Sequence, residues 1–163
     1  MPRNPHPARP AVEDPDNILP GDIVRLDAKY LTPTRGHGAH TWPHDAICIG
    51  WNTPNENLPD IKVSGTVFHF VCISSITRRN PLDHTKQIRL DHEDPDLGLS
   101  HPSAACVEFA ASAVVTVQGS AHVLGGVRRY PNRRVKDERV LASIIGLYNQ
   151  YWTSRAKPED EEK

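Results

Sequence analysis

Asp22 to Leu26 alternates polar and apolar side chains, the period-two pattern of a half-buried strand. Ala46 to Trp51 is a continuous apolar run and predicts a central strand. Asn52 to Pro59, with Pro54, Asn55, Asn57 and Pro59, reads as a turn-rich connection. Val67 to Ile76 is β-branched and aromatic, which predicts a core strand. Gln87 to Leu90 alternates again, and Ala104 to Phe109 and Ala113 to Val117 predict two more strands with Ala-rich material between them. From Glu138 to Tyr151 the period changes. Val140, Leu141, Ile144, Ile145, Leu147, Tyr148 and Tyr151 recur at steps of three and four, giving one apolar helical face. Asp137 is placed to cap that helix, and Gly146 weakens it by roughly 1 kcal/mol relative to Ala.

Short strands followed by one helix predict a mainly β fold with a C-terminal α-helix, the sheet bent into a small barrel. At 163 residues the chain fits one domain of ordinary size. Met1 to Leu19 is rich in Pro, Asn, Asp and Arg and reads as a disordered or draped arm. Residues 20–155 form the barrel domain in this reading, and residues 156–163 a charged tail that frays.

Hydrophobic residues make up 37% and charged residues 24% of the chain, and no apolar run reaches membrane-spanning length. The first twenty residues lack the apolar core of a secretory signal, so the expected location is cytoplasmic, with no membrane partner. With 19 basic and 20 acidic residues, bulk charge makes no case for nucleic acid. Charge is uneven locally, with basic pairs at Arg78-Arg79, Arg128-Arg129 and Arg133-Arg134. A groove gathering two of these pairs would attract phosphates. Cys48, Cys72 and Cys106 each sit in an apolar run without CxxC spacing, and read as buried reduced thiols rather than nucleophiles.

Between the first two strands lies Pro33-Thr34-Arg35-Gly36-His37, a glycine-containing loop with a histidine. Such a loop can hold a titratable imidazole at the mouth of a barrel. His40 and His44 follow, and Asp45 is adjacent to His44. Imidazoles with a carboxylate also suit zinc, but Trp42-Pro43 argues against the rigid element such spacing needs, so the metal-free reading ranks first.

Taken in order, these segments resemble the MazF/PemK/Kid ribonuclease toxins. Gly21-Asp22-Ile23-Val24 resembles that family's first strand, and Arg35-Gly36-His37 its histidine loop, with Gly38 where an acidic residue is common. Trp42-Pro43-His44-Asp45 stands in place of an Arg-Pro. Val71 to Thr77 resembles a strand ending in Pro-Ile-Thr, with Ser75 replacing the proline. Ser103 to Glu108 resembles a later segment ending in Asp-Gln, and Val123 to Gly126 the closing turn before the helix.

The resemblance, over about residues 20 to 152, implies an SH3-like barrel and a metal-independent endoribonuclease without cofactor. It implies the toxin of a toxin–antitoxin pair that cuts single-stranded RNA through the 2′-hydroxyl. His37 and His44 would move protons, Thr77 would donate to a non-bridging oxygen, and Glu108 would be the supporting carboxylate. Arg35, Arg78 and Arg79 would contact RNA. The expected partners are a second copy, in a homodimer, and an antitoxin whose disordered acidic segment covers the groove. The alternative is a catalytically impaired barrel that binds nucleic acid or a protein. In that reading Thr77 merely ends a strand, Arg78 and Arg79 are solvated charges, and Glu108 faces outward.

Overall fold

The computed structural model describes residues 12–27 and 44–161. The strands are β1 (Val12–Glu13), β2 (Asp22–Leu26), β3 (His44–Asn52), β4 (Val67–Ser75), β5 (Gln87–Leu90), β6 (Ser103–Val114), β7 (Thr116–Gln118), β8 (Ala121–Gly125) and β9 (Val127–Arg134), followed by helix α1 (Glu138–Glu161). Six of them form one antiparallel sheet in the order β5-β6-β4-β3-β2-β9, and β1-β8-β7 form a small second sheet. Among the described residues β5 and β9 are edges of the large sheet, which does not close on itself.

Both faces of the large sheet are covered, which is why its central strands read as unbroken apolar runs. Val24, Leu26, Ala46, Cys48, Phe68, Phe70 and Cys72 point to one face, where Ile18 and Leu124 complete a core. Ile23, Ile47, Ile49, Val71, Ala105 and Val107 point to the other, beneath Ile144 of α1. Adjacent residues such as Phe70 and Val71 therefore serve different cores, as the period of a strand requires. The Asp137 carboxylate caps α1, accepting from the Arg139 and Val140 amides at 2.9 and 3.4 Å. The Trp152 indole donates to the Val107 carbonyl at 2.9 Å and fastens the helix to β6. No described helix is long and apolar enough to cross a membrane.

Several elements differ from the sequence reading. The strands expected at 104–109 and 113–117 are divided differently: β6 runs from Ser103 to Val114 with a local irregularity, and β7 starts at Thr116. Val71 pairs with Ala110 but Cys72 with Cys106, so Val107, Glu108 and Phe109 have no partner on β4. What reads as a closing turn at Val123 to Gly126 is the end of β8 and the single residue, Gly126, that joins it to β9. Pro131 and four arginines hid β9; both are tolerated there because it is an edge strand. The segment before β2 is partly built into the fold: β1 pairs with β8, and Ile18 is fully buried. Residues 1–11 of the expected arm lie outside the described residues.

Candidate functional site

One end of the large sheet carries a cavity of about 290 Å³. Arg25 of β2, His44 and Asp45 of β3, Ser74 and Ser75 of β4, and Arg133 of β9 line it, with Gly98 to His101 closing the side. Strand pairing brings these residues together. Arg25 lies directly opposite Asp45 in the β2–β3 ladder, and β9 is β2's other neighbour.

Asp45 is the electrostatic centre. Its Oδ1 accepts from Arg25 at 3.2 Å and from the Tyr130 hydroxyl at 2.8 Å, and its Oδ2 accepts from Arg133 at 3.1 Å. The Tyr130 phenol, together with the Asp45 charge, holds the Arg25 guanidinium above its ordinary pKa. Arg133 is fixed twice more, by its Nε donating to the Leu97 carbonyl at 2.7 Å and by stacking over the Tyr130 ring at 4.5 Å. Gly98 permits that placement. Its φ of +65° is left-handed, and a Cβ there would sit 2.7 Å from Arg133 Nε.

A second titratable group of this cavity, His101, is held by two hydroxyls. Its Nε2 lies 2.6 Å from Ser75 Oγ, and its Nδ1 lies 2.9 Å from Ser100 Oγ. A neutral imidazole accepts at one nitrogen and donates at the other, so this pairing holds the ring between two hydroxyls. The Ser103 hydroxyl donates to the His101 carbonyl at 3.0 Å, and the Ile76 amide to the Pro102 carbonyl at 3.0 Å, pinning the loop. His44 lines the same cavity, with its ring edge-on to Phe109 at 5.0 Å.

A second, polar cavity of about 500 Å³ is lined by Asn80 to His84, Lys86, Gln87 and Glu108. Glu108 is buried, and its Oε2 accepts from Gln87 Nε2 at 2.9 Å. The Gln87 carbonyl oxygen in turn accepts from the Asp83 amide at 3.0 Å. Glu108 Oε1 has no hydrogen-bond partner among the described residues. Asn80 stands between the cavities: it lines the second, and its Nδ2 donates to the Ser75 carbonyl at 3.1 Å.

The structure thus separates the residues that the sequence grouped. His44 is in the first cavity and Glu108 in the second, while Thr77, Arg78 and Arg79 line neither. The Thr77 hydroxyl accepts from the Asn80 amide at 3.0 Å and shapes the turn between β4 and the second cavity. Arg78 and Arg79 are exposed in that turn. His37, His40 and Arg35 lie outside the described residues, on the connection that joins the two cavity-lining strands β2 and β3. The basic pairs Arg128-Arg129 and Arg133-Arg134 share one strand, β9. Among the described residues no group of three His, Cys, Asp or Glu is placed to hold a metal.

Sequence reasoning missed His101, Ser75 and Asp45 as a constellation. Ser75 and His101 are 26 positions apart with no motif joining them. Only the combination of a strand-ending Ser-Ser with a Ser-His-Pro before another strand hints at it. No family model, curated protein or solved structure matches the chain.

Proposed function

We propose that the first cavity binds the phosphodiester backbone of single-stranded RNA and cleaves it by metal-independent acid–base chemistry. The observation that carries this reading is the His101 imidazole, 2.6 Å from Ser75 Oγ, in a cavity that also holds Arg25, Arg133 and His44. Two guanidinium groups supply fork-shaped donors for phosphate oxygens. Two imidazoles supply the proton acceptor and donor that transesterification needs.

In this mechanism His101 takes the proton of the ribose 2′-hydroxyl. The 2′-oxygen attacks phosphorus, the bond to the 5′-oxygen breaks, and His44 protonates that leaving oxygen. The products are a 2′,3′-cyclic phosphate and a 5′-hydroxyl, so no water or cofactor is consumed. Arg133 is preorganised by Asp45, Leu97 and Tyr130, so holding the charged phosphorane costs little reorganisation. Arg128, exposed and opposite Arg25 in the β2–β9 ladder, adds a further cation beside the cavity. Strands followed by one helix, with bulged pairings, support an SH3-like barrel of the MazF/PemK/Kid kind whose edges β5 and β9 stay apart. The same reading brings with it a homodimer and an acidic antitoxin segment lying along the arginine-bearing edge.

Long unstructured RNA incubated with the protein in EDTA tests the proposal. Cleavage to cyclic-phosphate ends is expected, falling by about 10²- to 10⁴-fold in His101→Ala. Intact RNA with the wild type, or equal cleavage by both proteins, would overturn it. One observation favours a second reading, binding without turnover: Asp45 already engages both guanidinium groups of the cavity. RNA that is bound but never cut would select that reading.

A further inference from the structure

We propose that the Glu108 cavity is a nucleobase site selective for guanine, which receives an unstacked base of the strand held in the neighbouring cavity. This deepens the RNA reading by naming the base beside the phosphate.

The starting point is a cost. Glu108 is 9% exposed, and its Oε1 is buried without a hydrogen-bond partner among the described residues. Such a group in a folded protein needs an explanation, because a buried acceptor left unpaired is expensive. Its partner oxygen, Oε2, accepts one hydrogen bond and has a second lone pair for another donor. Gln87 donates to Oε2, and Gln87 is itself locked by the Asp83 amide, so the carboxylate is held in one orientation. The unsatisfied oxygen has a place for a donor that the described residues do not supply, and Glu108 lines a cavity of about 500 Å³ able to admit one.

The other lining groups narrow the ligand. Lys86 is the cationic donor of this cavity, and among the described residues its ion pair is a loose 4.0 Å contact to Asp83 Oδ2. Asp83 Oδ1 accepts from the Thr85 hydroxyl and amide at 2.6 and 3.0 Å and its exposed Oδ2 faces Lys86, so the buried acceptor in want of a partner is Glu108 Oε1. The site thus offers Glu108 Oε1 as a buried acceptor and the Lys86 ammonium as a donor. Guanine matches with N1–H and N2–H₂ as neighbouring donors and O6 as the adjoining acceptor. Adenine and cytosine each turn a ring-nitrogen acceptor toward the same carboxylate, and uracil has a single N–H between two carbonyls. Reading an unstacked base on its Watson–Crick edge is the usual route to sequence preference on single-stranded RNA.

Placement completes the argument. Asn80 lines this cavity while its amide donates to the carbonyl of Ser75, whose hydroxyl meets His101 in the first cavity. One strand can therefore set its phosphate on one side of Asn80 and its base on the other.

The test is a titration of the full chain with guanosine, a nucleoside without phosphate, followed by NMR or calorimetry. Saturable guanosine binding is expected, with inosine weaker and adenosine and cytidine not binding. Glu108→Gln should weaken guanosine by about tenfold or more, since one charged hydrogen bond is lost. Lys86→Met, at a half-buried position, should weaken it as well and serves if the Glu108 variant does not fold. Failure of guanosine to saturate the wild type, undiminished binding by both variants, or preferential binding of arginine amide would overturn the assignment. His101→Ala should keep guanosine binding. Intact RNA with guanosine bound would end the cleavage reading alone, and cleaved RNA without guanosine binding would end this one alone.

Discussion

Arg133 donates to Asp45 at 3.1 Å from β9, two strands away from β3 in the sheet. Because Arg25 of the intervening β2 meets the same carboxylate, Asp45 joins three strands at one end of the sheet. Replacing it by Asn should cost roughly 1–2 kcal/mol, a pair of this partial burial lying between surface and buried salt bridges. It should also free the two guanidinium groups, so RNA affinity should rise and its salt dependence steepen. Urea denaturation and fluorescence anisotropy at two salt concentrations check both outcomes. An unchanged urea midpoint would show that the three strands do not depend on this carboxylate.

Gly98 offers a way to move Arg133 without changing any charge. In Gly98→Ala the backbone is held at a left-handed φ of +65° and the new Cβ meets Arg133 Nε at 2.7 Å. The guanidinium must leave its place beside Leu97 and Asp45. Stability should fall by about 1–2 kcal/mol, and RNA binding should weaken at unchanged net charge. Wild-type affinity in this variant would mean that Arg133 does not touch the strand.

Burial pushes the Cys48, Cys72 and Cys106 thiols up to about 12. An unfolded thiol ionises near 9.0, so between pH 9 and 12 the unfolded chain binds fewer protons than the native one. Stability from these groups is complete below about pH 9 and is lost as pH rises toward 12. Burial lowers the His69 pKa, which has the opposite sign: its contribution is present above the ordinary histidine range and is lost as pH falls below about 6.5. Urea midpoints across this range should trace a plateau with two falling limbs, the acid limb flattening in His69→Asn. A chromogenic disulfide at pH 8 should label no thiol until urea is added. Rapid labelling of the native protein would contradict the burial.

Gly146 lies within α1, and a Cβ built there meets nothing within 4 Å. Gly146→Ala should therefore stabilise the protein by about 0.5–1 kcal/mol, with no effect on RNA. Thermal denaturation measures it, and a lower midpoint would show that the helix packs at this position.

The fold was legible where local pattern and burial agree. Asp22–Leu26 and Gln87–Leu90 have the bounds their alternation predicts, and Asp137 caps the helix that its apolar face announces. Legibility failed where tertiary context overrides local preference. Strand β9 carries Pro131 and four arginines because, among the described residues, its outer edge pairs with no strand, and the break in β6 fell at residues that leave one ladder for other contacts. The site was less legible than the fold. His44 and Glu108 were found by type and order, yet the sheet sends them to different cavities. The Ser75–His101 contact joins positions with no shared periodicity, so only the folded sheet reveals it.

The three residues of β6 that face no partner on β4 each serve a different neighbour. The Val107 carbonyl receives the Trp152 indole, Glu108 receives Gln87, and Phe109 receives the edge of His44. Deleting a single position there would invert the side-chain parity of everything beyond it, undocking the helix and dismantling both cavities in one event. The bulge therefore behaves as one unit, in which the length of three residues holds the helix anchor, the Glu108 cavity and the His44 ring contact together.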